Sequence, residues 1–529
     1  MRARDGSQAV NMSLFENDAM APEPVPLPAP ISDPIATRDR PLTAEMHNCL
    51  EMALSGSPLK ISAYAGAAKT STLDVIARAK PTRERGIYLA FNKAIATEAA
   101  GRFPRSVQCS TVHSVAFRGS PKALTQKLNL PRIFSSILVG MYRLQPMPVR
   151  TCFNEPAVLD RNTVADIVQG TIGRFCGSCD VTINGTHVDG IDYLDAASRH
   201  AVIAAIVPVA QAHWGAILDP SSGVSITHDT YVKAWSLSRP QIQSNYILFD
   251  EAQDADPVML GVLAAQSAQT IFVGDPYQQI YRWRGAVNAL SSIKSPEAYL
   301  TQSFRFGEML AELANRLLRL LDATRPLVGN PAIATVVELS DAAPGETAVD
   351  AILCRTNANG IAEASDAHQA GLRVHLQINT QEVLAFCDAV ESLRAGISPR
   401  HASLSLFRSY DQLVDFAETK SGREFLPYVK LITRYGIATI RAVIAQSVPR
   451  ELAQVTVSTA HKAKGLEWRR VRLSGDFRFG GRDTNGVYRL DPDEVRLVYV
   501  AATRAQQYLD ASAIQRPLLE AESEKELAP

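Results

Sequence analysis

The chain has 529 residues, 46% hydrophobic and 20% charged, with 54 Lys and Arg against 54 Asp and Glu. That length exceeds one ordinary domain and predicts about three or four. The composition is globular and excludes a disordered or fibrous chain. A formal net charge of zero excludes a whole-protein field as the source of nucleic-acid affinity, which must then come from local grooves. Seven cysteines without disulfide-framework spacing point to a reducing, cytoplasmic setting. No apolar run is expected to reach the ~20 residues that cross a bilayer, so no membrane partner is expected. The N-terminal residues lack the apolar core of a secretory leader.

Residues 1–40 read as a disordered tail in which Pro22, Pro24, Pro26, Pro28 and Pro30 alternate with other residues, a pattern that favours extended polyproline. Within it, Asn11-Met-Ser-Leu-Phe15 is similar to the short peptides with which bacterial proteins dock on the sliding clamp. The alternative is a spare segment with Met12 as the start. Ordered sequence begins near Pro41. Strands are expected at 60–64, 86–91 and 107–110, with helices at 70–79 and 92–101. This alternation predicts a parallel sheet with right-handed crossovers. Residues 117–225 break the rhythm and read as an insertion. Strands resume at 245–250 and 270–274.

A second α/β rhythm follows, with strands at 351–354, 372–376, 455–459 and 471–474 and helices at 308–322 and 494–504. Mostly helical sequence at 377–451 interrupts it. The expected fold class is therefore α/β, two parallel-sheet lobes each with a mainly helical insertion. The expected division is 41–116 with 226–288 for the first lobe and 117–225 for its insertion. The second lobe is 289–376 with 452–529, and its insertion 377–451.

Between the first strand and helix lies Tyr64-Ala-Gly-Ala-Ala-Lys-Thr-Ser-Thr72. Backbone N–H groups and a helix N-terminus there can cradle phosphates. Gly66, Ala67, Ala68, Lys69, Thr70 and Ser71 are the candidate nucleotide-binding residues. Lys69 would reach the β- and γ-phosphates, and the Thr70 hydroxyl would ligate Mg²⁺. The strict G-x-x-x-x-G-K-[ST] pattern fails, because Ala63 and Ala68 take both glycine positions. A Cβ at Ala68 would cost about 1 kcal/mol if a positive φ is required. The alternative reading is an ordinary strand-to-helix turn.

The apolar run before Asp250 and Glu251 ends in two adjacent carboxylates. Asp250 would hold Mg²⁺, and Glu251 would activate the attacking water. Two buried adjacent carboxylates without a cation would repel each other, which disfavours a purely structural role. A polar-aromatic stretch follows, with Gln278, Tyr281, Trp283 and Arg284, suited to stacking on bases. Cys176-Gly-Ser-Cys179 is a single CxxC; a zinc site would need two more ligands, with Cys152 and His187 nearest. A turn with two unliganded cysteines is the favoured reading.

AGAAKTST, YLAFNKAIA, STVHSVAF, THDTYVKAW, DEAQD, GDPYQQIYRWRGA, TQSFRF, STAHKAKGLEW and VRLVYVAATRA occur in that order. This series resembles the motifs of the UvrD/Rep-like helicases of superfamily 1A, and within them looks most like the F-box DNA helicase group, without an evident F-box. The resemblance covers about 41–117, 226–375 and 452–512. It implies two RecA-like lobes, ATP and Mg²⁺ as cofactors, and single-stranded and tailed duplex DNA as partners in a nucleoid-associated setting. Gln278 would sense the γ-phosphate, Arg305 and Arg504 would act as arginine fingers, Phe304 would stack on adenine, and Glu467 would bind the ribose. Phe91, Tyr281 and Trp283 would stack on bases. Asn92, Lys93, Thr111, His113, Arg284 and His461 would contact the backbone or neighbouring groups.

The implied activity couples ATP hydrolysis between the lobes to 3′→5′ strand movement and duplex unwinding. One departure is Met46, where the family carries an adenine-reading glutamine. The rival readings are a catalytically weak or inactive nucleotide-gated DNA-binding module, and an RNA-directed motor.

Overall fold

The computed structural model describes residues 41–152, 155–280, 290, 293–340, 348–397, 399, 401, 403–404, 407–419, 422–483 and 486–527. The chain divides into two compact units. Lys69–Leu300 and the chain up to Ala63 form the first; Tyr64–Ala68 belongs with Thr301–Pro529 in the second.

In the first unit, β1 (Leu59–Ala63), β2 (Gly86–Ala90), β3 (Val107–Thr111), β6 (Tyr246–Phe249), β7 (Gln269–Gly274) and β8 (Glu297–Leu300) form one sheet, ordered β3-β2-β6-β7-β1-β8. Every pairing in it is parallel. β2 and β6 are buried at every residue, as strands covered on both faces must be, and this explains their unbroken apolar runs. Because the strands are parallel, the residues after β1, β2, β3, β6 and β7 all emerge at one edge, where ligands of open α/β sheets bind.

β8 was not expected, and it moves a boundary. The first lobe was to end at 288, yet β8 pairs with β1 from Lys60↔Glu297 to Ala63↔Leu300. The pairing is reinforced by Lys60 on Glu297 at 3.0 Å and by Ser62 Oγ donating to Glu297 at 2.5 Å. A four-residue edge strand with a charged first residue gives little periodic signal.

Between β3 and β6 come a hairpin, β4 (Met147–Arg150) with β5 (Pro156–Leu159), and the helices Val112–Gly119, Ser135–Tyr142, Arg161–Gly177, Ala196–Leu218 and His228–Leu237. Asp160, Asp195 and Thr227 cap the last three through their side-chain oxygens. Val164, Phe175, Val202 and Ile206 from these helices share one continuous core with Ile87, Leu89, Ile247 and Phe249 of the sheet. Each such fully buried side chain contributes about 1.5–3 kcal/mol.

The helix Ala196–Leu218 has 23 residues and is long and apolar enough, by length and composition, to cross a membrane. This corrects the expectation that no run approaches that length. Ser198, Arg199, His200, Gln211 and His213 punctuate the run, so no unbroken apolar stretch marks it in the sequence. Its buried stripe, Val202, Ile206, Ala210, His213 and Ile217, has helical spacing and belongs to the unit's core.

In the second unit, β9 (Val336–Glu338), β10 (Ala351–Cys354), β11 (Val374–Gln377), β12 (Val455–Thr459), β13 (Trp468–Leu473) and β16 (Ala505–Asp510) form a second six-stranded sheet, ordered β11-β12-β10-β13-β16-β9. All of its pairings are parallel. A small hairpin, β14 (Gly480–Arg482) with β15 (Tyr488–Leu490), stands apart from it. The helices Thr380–Arg394, Tyr410–Glu418 and Leu426–Ala445 fill the stretch between β11 and β12. Phe386, Val390, Val429 and Ile440 join Ile352 and Val457 in one core. The fold is α/β with two parallel six-stranded sheets and flanking helices.

Candidate nucleotide and nucleic-acid site

Asp250 follows β6 directly and is 4% exposed. Its Oδ2 accepts the Tyr88 hydroxyl at 2.6 Å and the Thr70 hydroxyl at 3.3 Å, and its Oδ1 accepts the Glu251 N–H at 2.8 Å. Thr70 lies in the first turn of the helix Lys69–Ala79, so the predicted pair of cation ligands is brought together. Burial pushes the Asp250 carboxyl above the ordinary range and Glu251 pushes the same way; Tyr88 and Lys69 oppose. Burial, then Asp250, drive the Tyr88 phenol far upward, so it remains a donor. Tyr88 carries no signal of this role in the sequence, since it sits inside an apolar strand 162 residues from its partner.

Among the described residues, no group of three His, Cys, Asp or Glu side chains can hold a metal unaided. A hard divalent cation at Thr70 and Asp250 would therefore draw on phosphate and water for its shell. The donor set fits one, because an oxygen-only pair with a carboxyl strained by burial gains from a positive charge.

Glu251 adopts φ +53°, a left-handed conformation unusual for a side chain of this size. Its Oε2 accepts Gln253 Nε2 at 2.5 Å. Gln253 is fully buried, and its Oε1 accepts the Asp275 N–H at 3.0 Å. Asp275 Oδ2 then accepts Gln278 Nε2 at 2.7 Å. Glu251 and Gln278 are thus linked through Gln253 and Asp275. Gly274 is required in this link, because a Cβ there would collide with Gln253 Oε1. Gln253 was overlooked within DEAQD, since its partner lies 22 residues on.

In the phosphate loop, Gly66 has φ +74° and Ala68 has φ +55°. The condition attached to Ala68 is therefore met: an alanine occupies a left-handed position. Ala67 is buried, and the Ser71 hydroxyl accepts Arg102 Nη2 at 3.0 Å. Met46 is buried in the helix Ala44–Leu54, where its thioether has none of a glutamine amide's donors.

In the second unit, Phe304 N–H donates to Gly66 O at 2.8 Å, and its ring is half-buried. Arg305 pairs with Glu467 and donates from Nη1 to Thr503 O at 2.9 Å. Gln506 Nε2 donates to the other Glu467 oxygen at 3.0 Å. Burial raises the Glu467 carboxyl, but Arg305 and Gln506 outweigh it and hold the group below its ordinary range. Arg504, 2% exposed, donates to Val500 O at 2.8 Å and to Thr503 Oγ1 at 3.2 Å. It stands between the helix Pro492–Ala502 and β16. His461, in the short helix Ala460–Ala463, is half-buried.

Back in the first unit, a cleft of about 570 Å³ gathers Phe91, Asn92, Lys93, Thr111 and His113 with Phe117, His228 and Tyr231. Phe91 is 52% exposed, unusual for a phenylalanine after a buried strand. Asn92 and Thr111 are helix N-caps, accepting from Ile95 N–H at 2.9 Å and Ser114 N–H at 3.1 Å. Their side chains therefore hold the helices that shape the cleft. Phe117 and Tyr231 meet edge to face at 5.6 Å. Both lay within the quoted motifs, and only the fold reveals that they line one cleft. Tyr281, Trp283 and Arg284 lie outside the described residues, as does the clamp-like peptide Asn11–Phe15.

The CxxC turn is held by hydrogen bonds. Buried Lys233 donates to Ser178 O and Asp180 O at 2.6 Å each, and Cys179 Sγ lies 2.9 Å from Pro257 O. Burial pushes the Cys176 thiol up to about 12. His187 bonds to Ser178 Oγ at 3.0 Å.

A lysine-bearing loop after the first strand, with acids at the ends of neighbouring parallel strands, defines a nucleotide-binding α/β protein of the P-loop class. Two family models match within the chain: the UvrD/REP helicase N-terminal domain over residues 225–295 and the UvrD-like helicase C-terminal domain over 370–516. Both matched models describe UvrD-type helicase domains, and over those residues the chain is similar to that family. It is 29% identical over 525 residues to F-box DNA helicase protein 1 of Schizosaccharomyces pombe, covering 88% of this chain and 57% of that one. It is 27% identical to F-box DNA helicase 1 of Gallus gallus, covering 88% and 48%. A probable DNA helicase II homolog of Mycoplasma pneumoniae is 38% identical over 84 residues, 14% of this chain and 12% of that one. The chain thus spans about half the length of the F-box relatives it matches.

Proposed function

We propose that the protein is an ATP-dependent translocase and helicase that moves 3′→5′ along single-stranded DNA and separates duplex ahead of it. The observation that carries this reading is the hydrogen-bonded line Glu251–Gln253–Asp275–Gln278 beside the Thr70–Asp250 pair. Lys69 would bind the β- and γ-phosphates. Thr70 and Asp250 would hold a Mg²⁺ ion, which when bound supplies charge neutralisation on the phosphates. Glu251, oriented by Gln253, would take the proton of the attacking water. Arg305 and Arg504 are assigned to the charge that develops on the transferred phosphoryl group. Gln278 would report its state. Phe91 would stack on bases without regard to sequence.

Nucleotide choice is expected to be relaxed because Met46 cannot read adenine as an amide would. Clamp docking through Asn11–Phe15 and a cytoplasmic, nucleoid-associated location remain part of the proposal. The test is phosphate release with and without single-stranded DNA, joined to strand displacement on 3′- and 5′-tailed duplexes with ATP and other triphosphates. DNA-stimulated release and displacement from the 3′ tail support it. DNA binding without stimulated release would overturn it in favour of a nucleotide-gated DNA-binding module, the reading that Ala68 at φ +55° favours. A competing RNA strand that binds as tightly as DNA would point to an RNA-directed motor.

A further inference from the structure

A second cleft, about 450 Å³, opens on the first unit at the opposite ends of β2 and β3 from Phe91 and Thr111. Arg85, Arg105 and Arg118 line it, with the Trp235 side chain and Gln108. No Asp or Glu is among its lining residues. In a chain of zero net charge, three arginines around one cleft without a carboxylate are a marked local imbalance.

Some arginines elsewhere are paired, as Arg316 is with Glu522 and Arg355 with Glu494. Among the described residues, Arg85 and Arg105 have no carboxylate partner, and both are exposed. The adjacent Glu84 is not part of the lining.

The cleft is built rather than incidental. Asn245 clamps the Arg85 backbone from both sides, donating its N–H to Arg85 O at 2.7 Å and accepting Arg85 N–H on Oδ1 at 2.8 Å. Gly86 N–H donates to Ser106 O at 3.0 Å, which fixes the Arg85 and Arg105 segments side by side. Gly86 admits no Cβ, because one would strike the Tyr246 ring, and one on Gly119 would meet the Trp235 indole at 2.5 Å. Backbones fixed in this way reduce the ordering cost of binding.

Arg118 lines this cleft and the Phe91 cleft alike. The helix Val112–Gly119 carries His113 and Phe117 toward one and Val115 and Gly119 toward the other. We propose that the arginine cleft is a second nucleic-acid site, which grips the phosphodiester backbone of the DNA strand as it continues past the Phe91 cleft. Guanidinium forks match phosphate oxygens, and such contacts position a strand without reading its sequence. The proposal rests on the DNA-directed reading above.

The test is fluorescence anisotropy with single strands of about 6 and about 20 nucleotides, short enough for one cleft and long enough for both. Arg85→Ala with Arg105→Ala is compared with wild type and with Arg85→Lys plus Arg105→Lys. The alanine pair is expected to weaken long-strand binding about tenfold and to change short-strand binding less than twofold. Its salt slope on the long strand should fall by about 1.4, two single-strand phosphate contacts at ~0.7 each. The lysine pair should restore most of the long-strand affinity. Equal long-strand binding by the alanine pair and wild type overturns the proposal, as does an equal loss on both lengths. Wild type that binds neither strand defeats the DNA-directed reading itself, and this proposal with it.

Discussion

The first unit carries two contrasting regions at one edge of one sheet. At the ends of β6 and β7, Asp250, Glu251, Gln253, Asp275 and Gln278 are tied to one another by short hydrogen bonds and mostly buried. At the ends of β2 and β3, Phe91 projects into an open cleft with Phe117 and Tyr231. The first region is held by a connected set of hydrogen bonds, the pre-organisation that the proposed chemistry at a phosphate would use. The second offers exposed aromatic surface, which on the proposed reading would stack on any base. One scaffold thus carries a closely bonded polar cluster and an open aromatic cleft side by side.

The largest effect should come from separating the two. Glu251→Gln is expected to lower DNA-stimulated phosphate release about 10²–10⁴-fold and leave DNA affinity within twofold. Normal release would remove Glu251 from the role of base. In the reverse direction, Phe91→Ala should weaken single-strand binding about tenfold, within the ~1–3 kcal/mol of one stacked base, and leave DNA-free hydrolysis unchanged. Anisotropy and a phosphate assay on the same sample read both; a fall in DNA-free hydrolysis would show that the two regions are not separable.

A subtler contrast concerns stability. The folded Asp250 carboxyl is harder to ionise than the unfolded one. Below the unfolded value of 3.8 both states are protonated and no penalty exists; the penalty grows as pH rises through that value and persists at neutrality. Asp250→Asn should therefore raise Tm at pH 7 without nucleotide, by about 2–4 °C, while abolishing hydrolysis. The gain should vanish below pH 3.8. A lower Tm at neutral pH would mean that the hydrogen bonds from Tyr88 and Thr70 outweigh desolvation.

The smallest effect is expected at Ala68. Glycine there relieves a left-handed alanine worth about 1–2 kcal/mol, and the freer unfolded chain offsets about 0.4–1 kcal/mol of that. Stability should rise by at most about 1 kcal/mol, the residual strain, and the KM for nucleotide should fall about two- to fivefold if removing the Cβ lets the loop N–H groups approach the phosphates more closely. An unchanged KM would show that the alanine does not hinder the loop.

The residues proposed for hydrolysis are legible because each is announced locally. Lys69 follows a small-residue loop, and Asp250 and Glu251 end an apolar run. Residues that act through partners were not legible. Tyr88 lies inside an apolar strand, Gln253 between acids, and Arg85 and Arg105 in polar stretches, so no local pattern announces them. Asn92 and Thr111, expected as DNA contacts, also cap helices through their side chains, a role that their sequence neighbours do not announce. The edge strands β8 and β9 and the interior strand β16 give weak sequence signals; edge strands need less continuous hydrophobicity than central ones, and β16 opens on Ala505-Gln-Gln507.

Sequence by itself determined the class: two α/β lobes, a phosphate loop, and paired acids at the end of a buried strand. Those features are written in runs of neighbouring residues, where hydrophobic period and local chemistry coincide. Tertiary structure alone decided the left-handed φ at Ala68 and Glu251, the line from Glu251 to Gln278, and the arginine cleft at the far ends of β2 and β3. Each of these depends on which strands become neighbours, and parallel pairing joins segments that are far apart in the chain.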